Sequence, residues 1–472
     1  MAVSHRRVHV LVIPFPAPGH MLPLLDLTHL LSDRFQLSVT VAVTPKNLPQ
    51  LSPLLARSPA IVPLVLPFPA NTGLPPGAEN LQDNPTANIQ VMMCTLGGLH
   101  DPLLRWARSR LDDPPTAIIS DFFCGWTESL AVDLGIPRLV FCPSGALCLA
   151  IVHSLWRRMP KPSDPDNPDE LISFPNLPGT PVYRWRHLSP IYRSYVEGDP
   201  VSEFVKAGYL ANMKSWAFVF NTFSDIEKPY LDHLRADLGH PRVWAVGPLA
   251  PPPASSSERG GRSSVGEEEV VAWLDGCAEG SVVYVAFGSM WVPSPTQALA
   301  LAAALERSGA RFVWATRGAV PVPEGFDKRV AGRGLVIRRW APQVAILNHP
   351  AVGAFVTHCG WNSVLEATAA GVALLTWPMT ADQFFNARLL EEVETAVRVC
   401  DGEEVPDPDE LARLVAESVG EPGRERREKA IEMGRRATAA VAEGGSSSKD
   451  LAEMVEELRK VTGGSKANTA SS

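Results

Sequence analysis

No run of 18 uninterrupted apolar residues occurs in this chain of 472 residues, so the sequence holds no candidate membrane-spanning helix. Positive charge is not in excess either. The 43 Lys and Arg residues stand against 51 Asp and Glu, for a formal net charge of −8. With no basic run, a nucleic-acid surface is not expected. The seven cysteines (Cys94, Cys124, Cys142, Cys148, Cys277, Cys359 and Cys400) are scattered, odd in number and without CxxC spacing. Free thiols in a reducing compartment are the simplest expectation. Nor do His349, His358 and Cys359 make zinc spacing. Asn84-Pro85-Thr86 is the one Asn-x-Ser/Thr triplet, and its proline disqualifies it as a glycan acceptor. No GxGxxG follows the first candidate strand, which argues against a nicotinamide-dependent oxidoreductase. There is no repeat of solenoid period. The opening MAVSHRRVHVLVIPFPAPGH lacks a signal-peptide layout, so a cytoplasmic protein is expected.

What is present is proline and a β–α alternation. The 44 prolines are about twice the average share and fall in stretches such as LPFPANTGLPPG and KPSDPDNPDE, read as long ordered connections around a site. Apolar runs suited to buried strands occur at Val8–Phe15, Leu37–Val43, Ala117–Ser120, Arg138–Phe141, Ser215–Asn221 and Val243–Val246. Helical patterns at Met21–Ser32 and Glu128–Leu134 lie between them. GPLAPPPASSSERGGRSSVG, residues 247–266, reads as a linker. The pattern then restarts, with strands at Ser281–Phe287, Phe312–Ala315 and Leu335–Arg338 and helices at Glu267–Leu274 and Thr296–Ser308. Helices follow at Asn386–Glu394, Asp409–Ser418, Arg424–Ala442 and Ser447–Val461, and residues 462–472 read as a frayed tail. Strands alternating with helices imply two Rossmann-like halves with parallel sheets.

The most informative segment is WAPQVAILNHPAVGAFVTHCGWNSVLEATAAGVALLTWPMTADQ, Trp340 to Gln383. Gly353–Thr357 suits a buried strand, His358–Ser363 a polar turn, Ser363–Ala370 a helix with Gly371 at its end, and Val372–Thr376 a second strand. A turn feeding a helix N-terminus at the carboxyl end of a parallel strand attracts phosphate. His358, Asn362 and Ser363 stand where their side chains add donors, and Glu366 one turn on stands where a carboxylate can accept ribose hydroxyls.

At these residues the chain closely resembles the donor signature of plant family-1 UDP-sugar glycosyltransferases, which begins W-A-P-Q, contains H-C-G-W-N-S-x-x-E and ends D-Q. The resemblance extends to Pro18-Gly19-His20, Leu74–Asn80, Asn221-Thr222-Phe223 and Phe287-Gly288-Ser289. It implies the GT-B fold, two Rossmann-like domains with parallel sheets facing across a cleft. Residues 1–246 would bind the acceptor, and residues 267–461 the UDP-sugar, with the last helix packing back on the first domain. By the same resemblance Trp340 stacks on uracil, Gln343 lies beside the nucleoside, and Ala341 belongs to the donor set. His358, Asn362 and Ser363 would hold the diphosphate, Glu366 the ribose, and Trp361, Asp382 and Gln383 the sugar hydroxyls. Ala373 and Thr376 depart from the common pattern on the second strand. Ser289, after a strand and a glycine, has the layout of a further phosphate-contacting loop, and Ser144 is a candidate for touching the sugar.

Transfer to an alcohol or phenol calls for a base. His20 sits just past the first strand, at the carboxyl edge where α/β sheets place ligands. Asp121 follows Ala117–Ser120 at an equivalent edge, and a carboxylate on one imidazole nitrogen fixes the tautomer. From spacing alone His20 is equally a helix N-terminal residue and Asp121 an N-cap. The resemblance implies the dyad, His20 as base and Asp121 as partner, with inversion at the anomeric carbon. No metal is called for, because the helix end and the donors His358, Asn362, Ser363 and Ser289 can neutralise UDP. Asp164-Pro165-Asp166 and Asp407-Pro408-Asp409 read as turns. Gln383 at the end of the signature resembles family members that prefer UDP-glucose, so UDP-glucose is the co-substrate the resemblance implies, with UDP-xylose and UDP-rhamnose as alternatives. The acceptor expected is a small lipophilic phenolic such as a flavonoid, walled by Phe15, Met93, Phe122, Trp126, Trp185 and Phe384. A monomer suffices. The competing reading is a catalytically silent sugar-nucleotide sensor.

Overall fold

Short β-branched and aromatic runs, buried along their whole length, become the central strands. The computed structural model describes residues 8–70, 73–81, 88–249, 266–288, 291–316, 318, 320–338 and 340–464. The chain divides into two units, Met1–Leu249 with Ala440–Ser472, and Ala250–Ala439. In the first unit the strands are β1 (His9–Ile13), β2 (Ser38–Val43), β3 (Val62–Val65), β4 (Ala117–Asp121), β5 (Arg138–Cys142), the hairpin pair β6 (Leu171–Ser173) and β7 (Val182–Arg184), β8 (Ala217–Phe220) and β9 (Val243–Ala245). All but the hairpin form one seven-stranded sheet in the order β3-β2-β1-β4-β5-β8-β9, with every pairing parallel. The order reverses direction between β1 and β4. There the loops after the two strands diverge and leave a crevice at the carboxyl edge.

The helix Pro18–Asp33 starts with proline at its first position, where the missing N–H costs nothing. Its Leu24, Leu27 and Leu31 are fully buried on the sheet. Ser446–Gly464 joins the same core through Leu451, Met454, Val455 and Leu458. Burying each such side chain is worth about 1.5–3 kcal/mol. Polar ties add register. Asp450 Oδ2 accepts the Ala245 N–H at 2.8 Å, and Ser447 Oγ donates to the Gly247 carbonyl at 2.6 Å.

The second unit repeats the plan with β10 (Val282–Ala286), β11 (Arg311–Ala315), β12 (Gly334–Ile337), β13 (Val352–Thr357), β14 (Ala373–Thr376) and β15 (Ala396–Arg398). Its sheet runs β12-β11-β10-β13-β14-β15, all parallel, so the order reverses between β10 and β13. The first expected strand is shorter than the apolar run that suggested it. Several elements were not anticipated: β3, β15, the hairpin, and the helices Ala146–Arg158, Pro200–Asn212 and Ser224–Leu238. Asp407 proves to be a helix N-cap, its Oδ1 accepting the N–H groups of Asp409 and Glu410. Most of the 247–266 stretch and the 465–472 tail lie outside the described residues. All seven cysteines are free thiols, and no helix among the described residues is long and apolar enough to cross a membrane.

Candidate active site

The reversal between β1 and β4 brings together two residues 101 positions apart in sequence. Ile13 pairs with Ser120, so the segments that follow each strand emerge side by side. The segment after β1 carries His20, in the first turn of its helix, and Asp121 is itself the last residue of β4. His20 Nδ1 donates to Asp121 Oδ2 at 2.9 Å. The carboxylate is fully buried and the imidazole side chain is 19% exposed. Asp121 Oδ1 accepts the Phe123 N–H at 2.8 Å, so the carboxylate is held at both oxygens. Phe15, Phe122 and Phe123 surround the ring, Phe122 lying parallel to it at 5.6 Å. With Nδ1 committed as donor to the carboxylate, the neutral imidazole carries its lone pair on Nε2. That nitrogen can take up a proton, and the buried carboxylate stabilises the resulting cation.

In the second unit the equivalent reversal places Ala286 beside Thr357. The turn after β13 is tight. Cys359 sits at φ +64°, a left-handed conformation that costs a β-carbon residue about 1–2 kcal/mol. Two hydrogen bonds hold it there: the Cys359 N–H donates to Thr357 Oγ1 at 3.2 Å and Asn386 Nδ2 donates to the Cys359 carbonyl at 2.9 Å. The turn sets the His358 imidazole against Gly288 and Gly360, where a β-carbon would collide with the ring. Gly288 is also at φ +67°, so both space and backbone require glycine. The helix Trp361–Ala369 then begins, with Gly360 as N-cap and no side-chain cap. Its first-turn N–H groups and positive dipole end form an anion site in kind.

Gln343 Nε2 donates to Ser363 Oγ at 3.1 Å and to Glu366 Oε2 at 2.8 Å. The Tyr284 hydroxyl lies 3.4 Å from Gln343 Oε1. Burial, reinforced by the Glu366 charge, pushes that hydroxyl far above its ordinary pKa, so it stays a donor. Asp382 Oδ2 accepts from Asn386 Nδ2 at 3.0 Å, which ties it to the His358–Gly360 turn. Gln383 Oε1 accepts the Met379 and Thr380 N–H groups at 2.8 and 3.0 Å. That fixes the amide orientation and leaves Nε2 as a donor without a partner among the described residues.

Residues 264–405 match the family model described as UDP-glucoronosyl and UDP-glucosyl transferase. The chain is 52% identical over 461 residues to UDP-glycosyltransferase 89B2 of Stevia rebaudiana, covering 95% of this chain and 97% of that protein. It is 50% identical to the flavonol 3-O-glucosyltransferase UGT89B1 of Arabidopsis thaliana, over 96% of each chain. Among solved structures, Arabidopsis thaliana UGT89C1 complexed with UDP-L-rhamnose superposes with a TM-score of 0.79 at 39% identity, covering 96% of this chain and 99% of that one. This chain is a plant family-1 UDP-glycosyltransferase. It is therefore a glycosyltransferase with the GT-B fold, and a UDP-sugar is its co-substrate.

Within this glycosyltransferase the residues expected from sequence fall into two groups. His20 and Asp121 meet in the first unit, and Gln343, Ser363 and Glu366 meet in the second. Trp340 and Ala341 lie just ahead of Pro342, the N-cap of the helix Gln343–Leu347. Asn362 lies in the first turn of Trp361–Ala369. Trp361 was expected in the turn, but the helix begins at that residue and its side chain is 4% exposed. Ser289 lies outside the described residues. Ala373 and Thr376 are buried on β14, and Thr376 Oγ1 donates to Glu391 Oε1 at 3.2 Å, a structural use. Of the acceptor-wall candidates, Phe15 and Phe122 border His20. Trp185 lies near Tyr192 and Lys161, and Phe384 belongs to the second unit. No sequence pattern pointed to Gly288 as a wall against His358, to Asn386 as the brace of the turn, or to Tyr284.

Proposed function

We propose that this enzyme transfers glucose from UDP-glucose to a hydroxyl of a small phenolic acceptor of the flavonol type, with inversion at the anomeric carbon. The first unit takes the acceptor and the second holds the nucleotide sugar. The observation that carries the reading is the 2.9 Å hydrogen bond from His20 Nδ1 to buried Asp121. His20 Nε2 removes the proton of the acceptor hydroxyl as its oxygen bonds to the anomeric carbon. The bond from that carbon to the β-phosphate oxygen breaks, and its electron pair leaves with UDP. Asp121 stabilises the imidazolium, and base assistance of this kind is worth about 10²–10⁴-fold.

In the second unit, His358, Asn362, Ser363 and the first-turn N–H groups of Trp361–Ala369 would receive the diphosphate. Trp361, with its indole buried, would act through its main chain. Glu366, oriented by Gln343, would accept the ribose hydroxyls, and Trp340 would stack on uracil. Gln383 Nε2, whose amide is pinned by Met379 and Thr380, would donate to a sugar hydroxyl together with Asp382. These donors suffice to neutralise the leaving group without a metal ion. The flavonol class is supported by the relative of that name. A second donor, UDP-rhamnose, is favoured by the likeness to the structure holding UDP-L-rhamnose.

The test is incubation of the protein with UDP-glucose, UDP-rhamnose or UDP-xylose and a panel of flavonols, followed by mass spectrometry. A product heavier by one hexose, formed fastest from UDP-glucose, is expected. A faster deoxyhexose product moves the donor to UDP-rhamnose. UDP binding with no product from any pair contradicts transfer and leaves a sensor.

A further inference from the structure

The turn that carries Asp121 does not hold itself. Its middle carbonyl, Phe122 O, accepts Asn212 Nδ2 at 2.7 Å. Asn212 is the last residue of the helix Pro200–Asn212. Its Oδ1 accepts in turn from Arg138 Nη2 at 2.9 Å. Arg138 opens β5 and is 1% exposed. The same guanidinium donates to Ser120 Oγ at 2.9 Å, just before Asp121, and to the Cys124 carbonyl at 3.2 Å, just after it. Its Nη1 donates to Ser215 Oγ at 2.7 Å, which donates to Glu128 Oε2 at 2.7 Å. Thr127 Oγ1 closes the cluster, donating to the Cys124 carbonyl at 2.7 Å beside Ser120 Oγ. Burial pulls the guanidinium down to about 10, with Glu128 opposing, so it is cationic at neutral pH. The helix bearing Asn212 reaches this turn because Gly125 and Gly208 meet backbone to backbone, leaving no room for a β-carbon on Gly125.

A buried cation is costly unless its acceptors are fixed, and fixed acceptors here are the two ends of the Asp121 turn. We propose that Arg138 and Asn212 are positioning residues for the His20–Asp121 pair: Arg138 clamps the turn at Ser120 and Cys124, and Asn212 holds its middle at Phe122. The clamp fixes Asp121 and sets Phe122 and Phe123 against the His20 ring. The inference rests on His20 being the base. It differs from plain core packing because loosening the turn changes the geometry of proton removal without touching the nucleotide site.

The obvious change, Arg138→Leu, strands several polar groups and is a poor test because it endangers folding. Asn212→Leu removes both of that residue's bonds. Asn212→Asp keeps the acceptor for Arg138 and sets a carboxylate oxygen against Phe122 O. Turnover is measured per UDP-binding site counted by titration, so that unfolded protein does not contribute. For both variants kcat falls about 10- to 100-fold, as small misplacements of reacting groups do, while KM for UDP-glucose stays within twofold. If Asn212→Leu fails to fold, Asn212→Asp decides. Parental kcat per site in Asn212→Asp overturns the proposal, even if its Tm drops. His20→Ala is run in parallel. If it retains transfer, the base reading itself fails; if it abolishes transfer while Asn212→Asp matches the parent, only the positioning role fails.

Discussion

Replacing Asp121 by Asn removes a charge and almost no volume, and the geometry dictates how the new amide must lie. The Phe123 N–H, 2.8 Å from Oδ1, requires an acceptor there, so the amide oxygen takes that place. The amide NH₂ then faces His20 Nδ1, now 2.9 Å from the carboxylate. Two N–H groups cannot point at each other, so Nδ1 becomes the acceptor and the ring proton moves to Nε2. The nitrogen that should take the acceptor proton is already protonated. The loss expected is that of a general base, about 10²–10⁴-fold in kcat, or about 3–5 kcal/mol of barrier. The assay is steady-state glucosylation of a flavonol, with UDP affinity measured alongside. KM for UDP-glucose should be nearly unchanged, because the expected nucleotide contacts lie in the second unit. The deficit should also shrink as pH rises towards the phenol's own ionisation near 10, since a phenolate needs no base. Turnover of Asp121→Asn within about threefold of the parent, at a pH where the acceptor is neutral, refutes the reasoning.

Gly288→Ala puts a β-carbon into the His358 ring at a left-handed backbone position; UDP affinity by calorimetry should fall at least about tenfold, and an unchanged Kd contradicts the role given to that ring. Gln343→Ala removes the donor to Ser363 and Glu366 and should weaken UDP binding by about 1.4 kcal/mol, or tenfold, with little change in Tm. Asp450 has its carboxyl pKa raised by burial, against the Ala245 N–H that it accepts. The folded state therefore holds that proton more tightly than the unfolded chain, and stability falls as pH rises above the ordinary carboxyl value of about 4. Asp450→Asn keeps the acceptor, so its Tm should exceed the parent's at pH 7 and converge with it near pH 3; a lower Tm at pH 7 refutes this.

Sequence reading reached furthest where local pattern and chemistry coincide. β13, the turn and the helix Trp361–Ala369 were legible because an apolar run, a polar turn and a helical stretch follow one another without a break. The pairing of His20 with Asp121 was expected only through the resemblance; nothing local links residues 101 apart, and the sheet order supplies the contact. Helix Ala146–Arg158 escaped because eleven of its thirteen residues are buried, leaving no amphipathic stripe. Ser224–Leu238 contains Pro229 and a non-helical Glu227, both breaking signals. β3 carries a proline and is largely exposed, and the hairpin strands have three residues each, too few for an alternation. Arg138 is a lone charge at the start of an apolar run, and no pattern in the sequence announces that it is buried or what it clamps.

His20→Ala separates base catalysis from nucleotide binding when UDP affinity is measured by calorimetry and hexose transfer to a flavonol by mass spectrometry on the same preparation. Base catalysis by His20 predicts parental UDP binding and transfer reduced by about 10²-fold or more. Near-parental transfer in a variant without the imidazole contradicts it.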